Sequence, residues 1–356
     1  MGADKKHVVV LCGGRSAEHE VSLHSAASIL TYLDPQKYRV SVIGIEKDGS
    51  VYSSRRLSEK IVFPQGRSFE ILDGKHWLCQ LAEIQGSVDM VFPVLHGPFG
   101  EDGTVQGALQ LLNIPYVGAG VWGSAVGINK IHSKRLLLQA GVPVLPYVKT
   151  DRNQWTLDEK GVLDRVEVEL RYPVFIKPAN MGSSVGIGRS QNRRDLAAHI
   201  VEALRFDEFI LIEKGVEARE IEVSVIGNWE PRASVAGEIV PSGEFYTYEA
   251  KYIDEDSQLL IPAPLSVSKM NEVRSLALRT YRALQLEGMA RVDFLLEKES
   301  DQFWVNEPNT IPGFTDISMY PKLWEASGLS YTCLLDELIA LGRERNERAQ
   351  GLSVDR

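Results

Sequence analysis

Cysteine is scarce in this chain: Cys12, Cys79 and Cys333 are the only three in 356 residues. They are odd in number and widely spaced, with neither a CxxC pair nor Cys/His ligand spacing. That excludes a disulfide framework, and the three read as buried free thiols in a reducing compartment. Long apolar runs are missing too. No stretch of about 18 apolar residues occurs, so no transmembrane helix is expected. The N-terminal run VVVLC is followed by Gly13-Gly14 and reads as a strand, not a signal peptide. Basic residues are in deficit: 39 Lys and Arg against 48 Asp and Glu leave a net charge of −9, which argues against nucleic-acid binding through backbone electrostatics. With no low-complexity tract either, a cytoplasmic globular protein is expected, with neither membrane nor nucleic acid as a partner. Its length favours two or three domains.

What is present is alternation. KHVVVLCGG, YRVSVIGIEKDG and SVDMVFPVLHG read as strands. SAEHEVSLHSAASILTYLD and DGTVQGALQLLNI read as helices between them, with PYVG as a further short strand. Such alternation implies a parallel sheet with ligands at the carboxyl ends of its strands. A helix is expected from Ser124 to Gly141, leading into a new region. From Arg219 onward the pattern becomes antiparallel: EIEVSVIG, RASVAGEIV, ARVDFLLE and QFWVNEPNT, with the helix KMNEVRSLALRTYRALQL among them. YTCLLDELIALGRE closes the fold, and about the last ten residues are expected to fray. The expected fold class is α/β and α+β in three modules, 1–127, 128–213 and 214–349, with a tail at 350–356. GAGVWG (Gly118 to Gly123) matches GxGxxG, but no acidic residue follows about 20 positions on, so it reads as a plain loop before a helix.

Two stretches carry chemistry. In FIKPANMGSSVGIGRS an apolar strand delivers Lys177 to its end and runs into a loop of small residues. Backbone amides there can approach a polyphosphate while an ammonium neutralises its charge. The lysine precedes the glycines, unlike a P-loop. In ARVDFLLEKESDQFWVNEPNT two strands flank a polar turn. If that hairpin is centred on Glu299 to Asp301, Asp293 lies opposite Glu307 and Arg291 opposite Asn309. Facing carboxylates repel, and a divalent cation removes the conflict; two carboxylates and an amide oxygen are hard ligands suited to Mg²⁺ shared with phosphates. The following NTIPGFTDISMYP adds Gly313 in a proline turn, then Thr315 and Ser318. That turn can aim a backbone N–H at a developing oxyanion, with Arg291 nearby.

GGRSAEHEVS, HGPFGEDGTVQG, KPANMGSSVGIG, YTYEAKY, ARVDFLL and NEPNTIPGFT occur in this order. Together they resemble the motifs of D-alanine–D-alanine ligases of the ATP-grasp superfamily, from about His7 to about Leu341. The resemblance implies a three-domain ATP-grasp fold with an N-terminal parallel-sheet domain, and ATP held between the central and C-terminal domains. It implies that one D-alanine is activated as an acylphosphate and attacked by the amine of a second, for peptidoglycan precursor synthesis. It assigns Lys130, Lys177 and Ser184 to ATP, Glu213, Lys214 and Val216 to the adenine, and Glu220 to the ribose. Lys251 would reach the γ-phosphate from a lid. Asp293, Glu307 and Asn309 match the ligands of two Mg²⁺ ions, for which Mn²⁺ can substitute. Glu18 would hold the first D-alanine's ammonium, with His96 near the same substrate and Ser183 over the site. Arg291 and the Gly313 amide match the oxyanion site, while Ser318 and Met319 would contact the second substrate. Tyr252, in a triad with Ser183 and Glu18, favours D-alanine over D-lactate as that substrate; D-serine is less readily distinguished. A homodimer is implied. Two positions depart from the family's usual residues: Pro308, which is expected to end the metal strand early, and Asn129 before Lys130.

Overall fold

The computed structural model describes residues 5–240 and 258–353. Three sheets are laid down in chain order. The first holds β1 (Lys6–Gly13), β2 (Tyr38–Ile45), β3 (Glu70–Ile71) and β4 (Met90–Val94), all parallel, in the order β3-β2-β1-β4. Alternate residues of β1 explain its unbroken apolar run. Val8, Val10 and Cys12 pack with Leu23, Ile29 and Leu30 of the helix His19–Tyr32, whereas Val9 and Leu11 pack with Leu81 and Leu109 on the opposite face. A parallel strand covered on both sides has no polar face to show. The carboxyl ends of neighbouring β1 and β4 present Glu18 and His96 side by side in the fold, where an open α/β sheet binds ligands.

The second sheet is antiparallel: β5 (Tyr147–Asp151), β6 (Val174–Pro178), β7 (Gly188–Ser190) and β8 (Phe209–Lys214), in the order β5-β8-β6-β7. Val174 and Ile176 are fully buried. Phe175 pairs with Glu213 and Lys177 with Leu211, so Lys177 and Glu213 share one face on the diagonal. The third sheet, β9 (Ala218–Gly227), β10 (Arg232–Val240), β11 (Gln258–Leu260), β12 (Gly288–Glu297) and β13 (Phe303–Asn309), is antiparallel in the order β11-β10-β9-β12-β13. Ile221, Val223, Val292 and Phe294 pack with Val273, Ala277 and Tyr281 of the helix Val267–Ala283. Period-two alternation then turns Glu222, Arg291 and Asp293 to the other face.

Several expectations are corrected. The helix expected over 124–141 is two helices, Val121–Ile128 and Lys130–Gln139. Asn129 is extended between them, and its Oδ1 accepts the His132 N–H at 2.9 Å, capping the second helix. PYVG forms a single bridge between Tyr116 and Val91, not a strand. The closing helix runs Tyr331–Gln350, past YTCLLDELIALGRE and into the ten residues expected to fray. Arg348 pairs with Glu287, and Gln350 donates to Asn113 at 3.1 Å. Of the cysteines only Cys12 is buried; Cys79 and Cys333 are exposed. Pro308 does not stop β13 early, because β13 is the edge strand and reaches Asn309. One apolar cluster joins β1 residues to Phe314, Tyr320 and Leu334, so the N-terminal sheet and the C-terminal segment share a core.

Candidate active site

The acidic half of the site is built on β9, β12 and β13. The register is the expected one: Arg291 lies opposite Asn309 and Asp293 opposite Glu307. On the other side of β12, Asp293 also faces Glu222 of β9, so three carboxylates line up across three strands. Like charges so placed repel. Arg291 relieves them: its Nε is 2.7 Å from Asp293 Oδ1 and 2.9 Å from Glu222 Oε2, and its Nη2 is 2.8 Å from Asp293 Oδ2. Asn309 Nδ2 donates to the same Asp293 Oδ2 at 2.9 Å. The pairing slips between Asp293 and Phe294, leaving Asn306 as the extra residue on β13. Such a bulge re-aims a side chain, and Asn306 Oδ1 accepts from Lys177 Nζ at 3.0 Å.

The cationic half comes from β6 and the helix Lys130–Gln139. Lys134 follows Lys130 by one helical turn. Glu213 lies between two ammoniums, 2.5 Å from Lys134 Nζ and 2.6 Å from Lys177 Nζ, with its side chain only 2% exposed. Burial alone pushes this carboxyl up, but the two lysines override it and hold it down at about 2. The two lysines then diverge. Burial wins at Lys134 and lowers it; at Lys177, which is 12% exposed, burial is outweighed by Glu213 and the pKa is raised. Lys130 reaches across to Glu307 Oε2 at 3.0 Å and donates to the Met181 carbonyl at 2.7 Å.

Between the halves lies the small-residue loop. Ser183 and Ser184 adopt left-handed backbone, with φ of 49° and 58°. Ser183 Oγ is buried with no hydrogen-bond partner among the described residues. A Cβ on Gly182 would stand 3.0 Å from Glu18 Oε2, and one on Gly97 only 2.8 Å from it, so this carboxylate is packed against two bare backbones. A cavity of about 20 Å³ is lined by Glu101, Lys130, Gly182, Glu307, Asn309 and Thr310. That is room for about one water. A larger cleft of about 360 Å³ opens on the other side of Asn180 and Met181, toward Asp102 and Asp207. Lys130, Glu307 and Asn309 face the smaller space.

The turn after β13 is held by the N-terminal domain. Ile311 N donates to Glu101 Oε1 at 2.9 Å, and the Ile311 carbonyl faces His96 Nδ1 at 2.9 Å. Phe314 N donates to Ser25 Oγ at 3.1 Å. Burial, with the neighbouring Glu18 carboxylate, pushes Glu101 up to about 8; burial lowers His96.

A strand-end lysine with a small-residue loop thus meets an acidic antiparallel ribbon across one gap. Two family models cover the chain: "D-ala D-ala ligase N-terminus" matches residues 7–119 and "D-ala D-ala ligase C-terminus" residues 136–340. The chain belongs to the D-alanine–D-alanine ligase family. It is 46% identical over 360 residues to the D-alanine–D-alanine ligase of Heliobacterium modesticaldum, covering 99% of this chain and 98% of that one. It is 48% identical to that of Thermoanaerobacter sp., covering 98% and 99%. Among solved structures, the D-alanine-D-alanine ligase from Coxiella burnetii superposes with a TM-score of 0.81 at 35% identity, over 98% of this chain and 97% of that one. The VanG D-Ala:D-Ser ligase from Enterococcus faecalis gives 0.79 at 32% identity, over 95% and 100%. The ATP-grasp fold expected from the ligase motifs is the fold observed.

In this ligase the structure brings Lys130, Lys177, Asp293, Glu307, Asn309 and Arg291 together, with Ser183 in the loop between the two halves and Glu18 packed against it. Lys251 and Tyr252 lie outside the described residues. Lys214 ends β8 on the surface, and Glu220 on β9 is half-buried opposite Leu295. Met319 belongs to an apolar cluster with Ile239 and Leu323. Ser318 Oγ accepts the Thr315 N–H at 3.0 Å. A Cβ on Gly313 would stand 2.7 Å from that oxygen. Ser25, Glu101, Lys134, Glu222 and Asn306 were not anticipated. Helical spacing from Lys130 and strand spacing from Glu220 could have raised Lys134 and Glu222. Nothing local marks Asn306, because a bulge decides its aim.

The donor set fits a divalent cation. No group of three His, Cys, Asp or Glu side chains among the described residues is arranged to hold a metal, but Asp293 and Glu307 offer hard oxygens at facing positions with the Asn309 amide beside them. Arg291 and Lys130 neutralise these carboxylates in its stead.

Proposed function

We propose that this chain joins two D-alanine molecules into D-alanyl-D-alanine at the expense of ATP, as the ligases it resembles are named to do. The single observation that carries this reading is the meeting of the two halves: Lys177 with Asn306 at 3.0 Å and Lys130 with Glu307 at 3.0 Å. Phosphoryl transfer asks mainly for positioning and charge neutralisation, and this gap supplies both. Lys130 exchanges the Glu307 carboxylate, and Lys177 the Asn306 amide oxygen, for nucleotide phosphates, with the backbone of Ser183 and Ser184 over them. The adenine lies against Lys214 and Val216, with the ribose at Glu220. Glu213 contributes there through its backbone, because its carboxylate is committed to two lysines. Asp293, Glu307 and Asn309 would hold two Mg²⁺ ions, or Mn²⁺ in their place. Such ions, when bound, neutralise the triphosphate and polarise its terminal phosphoryl group.

Glu18 binds the ammonium of the first D-alanine at the end of β1, and Lys251 and Tyr252 serve from the segment outside the described residues. Arg291 and the Gly313 amide stabilise the oxyanion that forms when the second amine attacks, with Ser318 and Met319 bordering the second substrate. The modules are 1–127, 128–213 and 214–349, and the protein works as a cytoplasmic homodimer. D-Alanine is the preferred second substrate. The curated relatives at 46–48% identity over nearly the whole chain, named D-alanine–D-alanine ligase, support this.

The test is product analysis with ATP and D-alanine, D-lactate and D-serine in competition. Phosphate release should require D-alanine, and D-alanyl-D-alanine should dominate. Dominant D-alanyl-D-lactate at neutral pH would overturn the substrate choice.

A further inference from the structure

His96 is 4% exposed, and both of its ring nitrogens are engaged. The Ile311 carbonyl can only accept, so Nδ1, 2.9 Å away, carries the proton. Nε2 of the neutral ring is then an acceptor, 3.2 Å from Ser25 Oγ. Ser25 is fully buried, and its oxygen in turn accepts the Phe314 N–H at 3.1 Å. The bonds form a closed circuit: Phe314 N–H to Ser25, Ser25 O–H to His96 Nε2, and His96 Nδ1–H to the Ile311 carbonyl. Glu101 adds the remaining backbone group, accepting the Ile311 N–H with one oxygen and the Gly97 N–H with the other at 2.8 Å. The enclosed residues are Pro312 and Gly313, three and four positions after Asn309.

We propose that Ser25, His96 and Glu101 are positioning residues: an inter-domain clasp that fixes the Ile311–Phe314 turn, so that the Gly313 amide is aimed before substrate arrives. His96 then acts through the turn and not by touching D-alanine. This rests on the reading of Gly313 as the oxyanion donor. A pre-aimed amide contributes only while its support is rigid; a displacement of about 1 Å can cost about 10²-fold in rate. The support comes from a different domain than the turn, so the aim depends on how the N-terminal sheet seats against the C-terminal segment.

Steady-state kinetics on Ser25→Ala, His96→Asn, His96→Ala and the Ser25→Ala/His96→Asn double variant test this. Ser25→Ala should lower kcat at least about ten-fold and leave KM for both D-alanines within about two-fold. His96→Asn keeps a donor for the Ile311 carbonyl and should retain more kcat than His96→Ala. The double variant should be no worse than its poorer single, since the circuit breaks once. A wild-type-like Ser25→Ala, together with a His96→Asn whose KM for the first D-alanine rises ten-fold at constant kcat, would make His96 a direct ligand and end the proposal. Nitrogen NMR of the ligand-free wild type should show a neutral His96 ring protonated at Nδ1; a proton on Nε2 also ends it. Wild-type protein that forms no dipeptide would sink the substrate assignment instead, since the ring tautomer reports on the clasp by itself.

Discussion

The two halves of the site carry opposite charge and are balanced differently. On the cationic side, Lys134 and Lys177 share Glu213, and the Lys134–Glu213 pair is 2% exposed at both ends. On the acidic side, Glu222, Asp293 and Glu307 share Arg291 and Lys130, with side chains 6%, 13% and 20% exposed. The first half is sealed at folding, because a buried charge without its partner is far costlier than a pair. The second keeps Asp293 and Glu307 within reach of water, where a cation or a phosphate can take over from an arginine or a lysine. A site that must bind a charged ligand cannot leave all of its own charges permanently satisfied. Here the permanent pairing is confined to one side.

The sharpest way to break this comparison is Glu213→Gln. It strands two ammoniums, one of them wholly buried, and should cost about 3–5 kcal/mol of stability in urea denaturation. Glu307→Gln, at the open half, should cost clearly less, because Lys130 keeps the Met181 carbonyl and the facing Asp293 loses a like charge. Equal costs would erase the distinction. Lys177→Met comes next. It should lower kcat/KM for ATP about 10²-fold, as loss of a transition-state charge partner does, with a smaller stability loss than Glu213→Gln because Lys134 still holds the carboxylate.

The third prediction uses pH and gives opposite slopes for two carboxyls. Glu213 is held at about 2, below its unfolded value of 4.5. Its contribution is therefore present above 4.5 and lost as pH falls toward 2. Glu101 is pushed up to about 8. The folded state then keeps a proton that the unfolded state has released, so stability is lost as pH rises from 4.5 through 8. Thermal unfolding from pH 3 to 9 should show the acid limb flattened in Glu213→Gln and the alkaline decline flattened in Glu101→Gln; unchanged limbs would refute these assignments. The smallest effect is expected from Asn129→Asp, measured by the same unfolding. The aspartate still caps the helix but loses the amide donor that reaches Asn180 Oδ1 at 2.6 Å, for about 1 kcal/mol.

Much of this was readable in advance, for identifiable reasons. Strand spacing places Asp293 opposite Glu307 once the hairpin turn is located, and the turn is marked by Lys298 to Asp301. Lys177 ends an apolar strand in plain sight. Asn129 was visible only as an oddity; its purpose needed Asn180, 51 positions away. His96 stands next to a glycine turn, which says nothing about whether it faces substrate or a backbone carbonyl 215 positions on.

The sequence alone determined the alternation of strands, the register of the acidic hairpin, the small-residue loop after Lys177 and the family. These follow from short-range periodicity and from residue types whose chemistry needs no neighbour. Tertiary structure decided which charges are sealed and which exchange, where the Asn306 bulge points, and that Ser25, His96 and Glu101 hold a turn of another domain. Those depend on burial and on contacts between distant segments, and desolvation is a property of the packed molecule that no local pattern records.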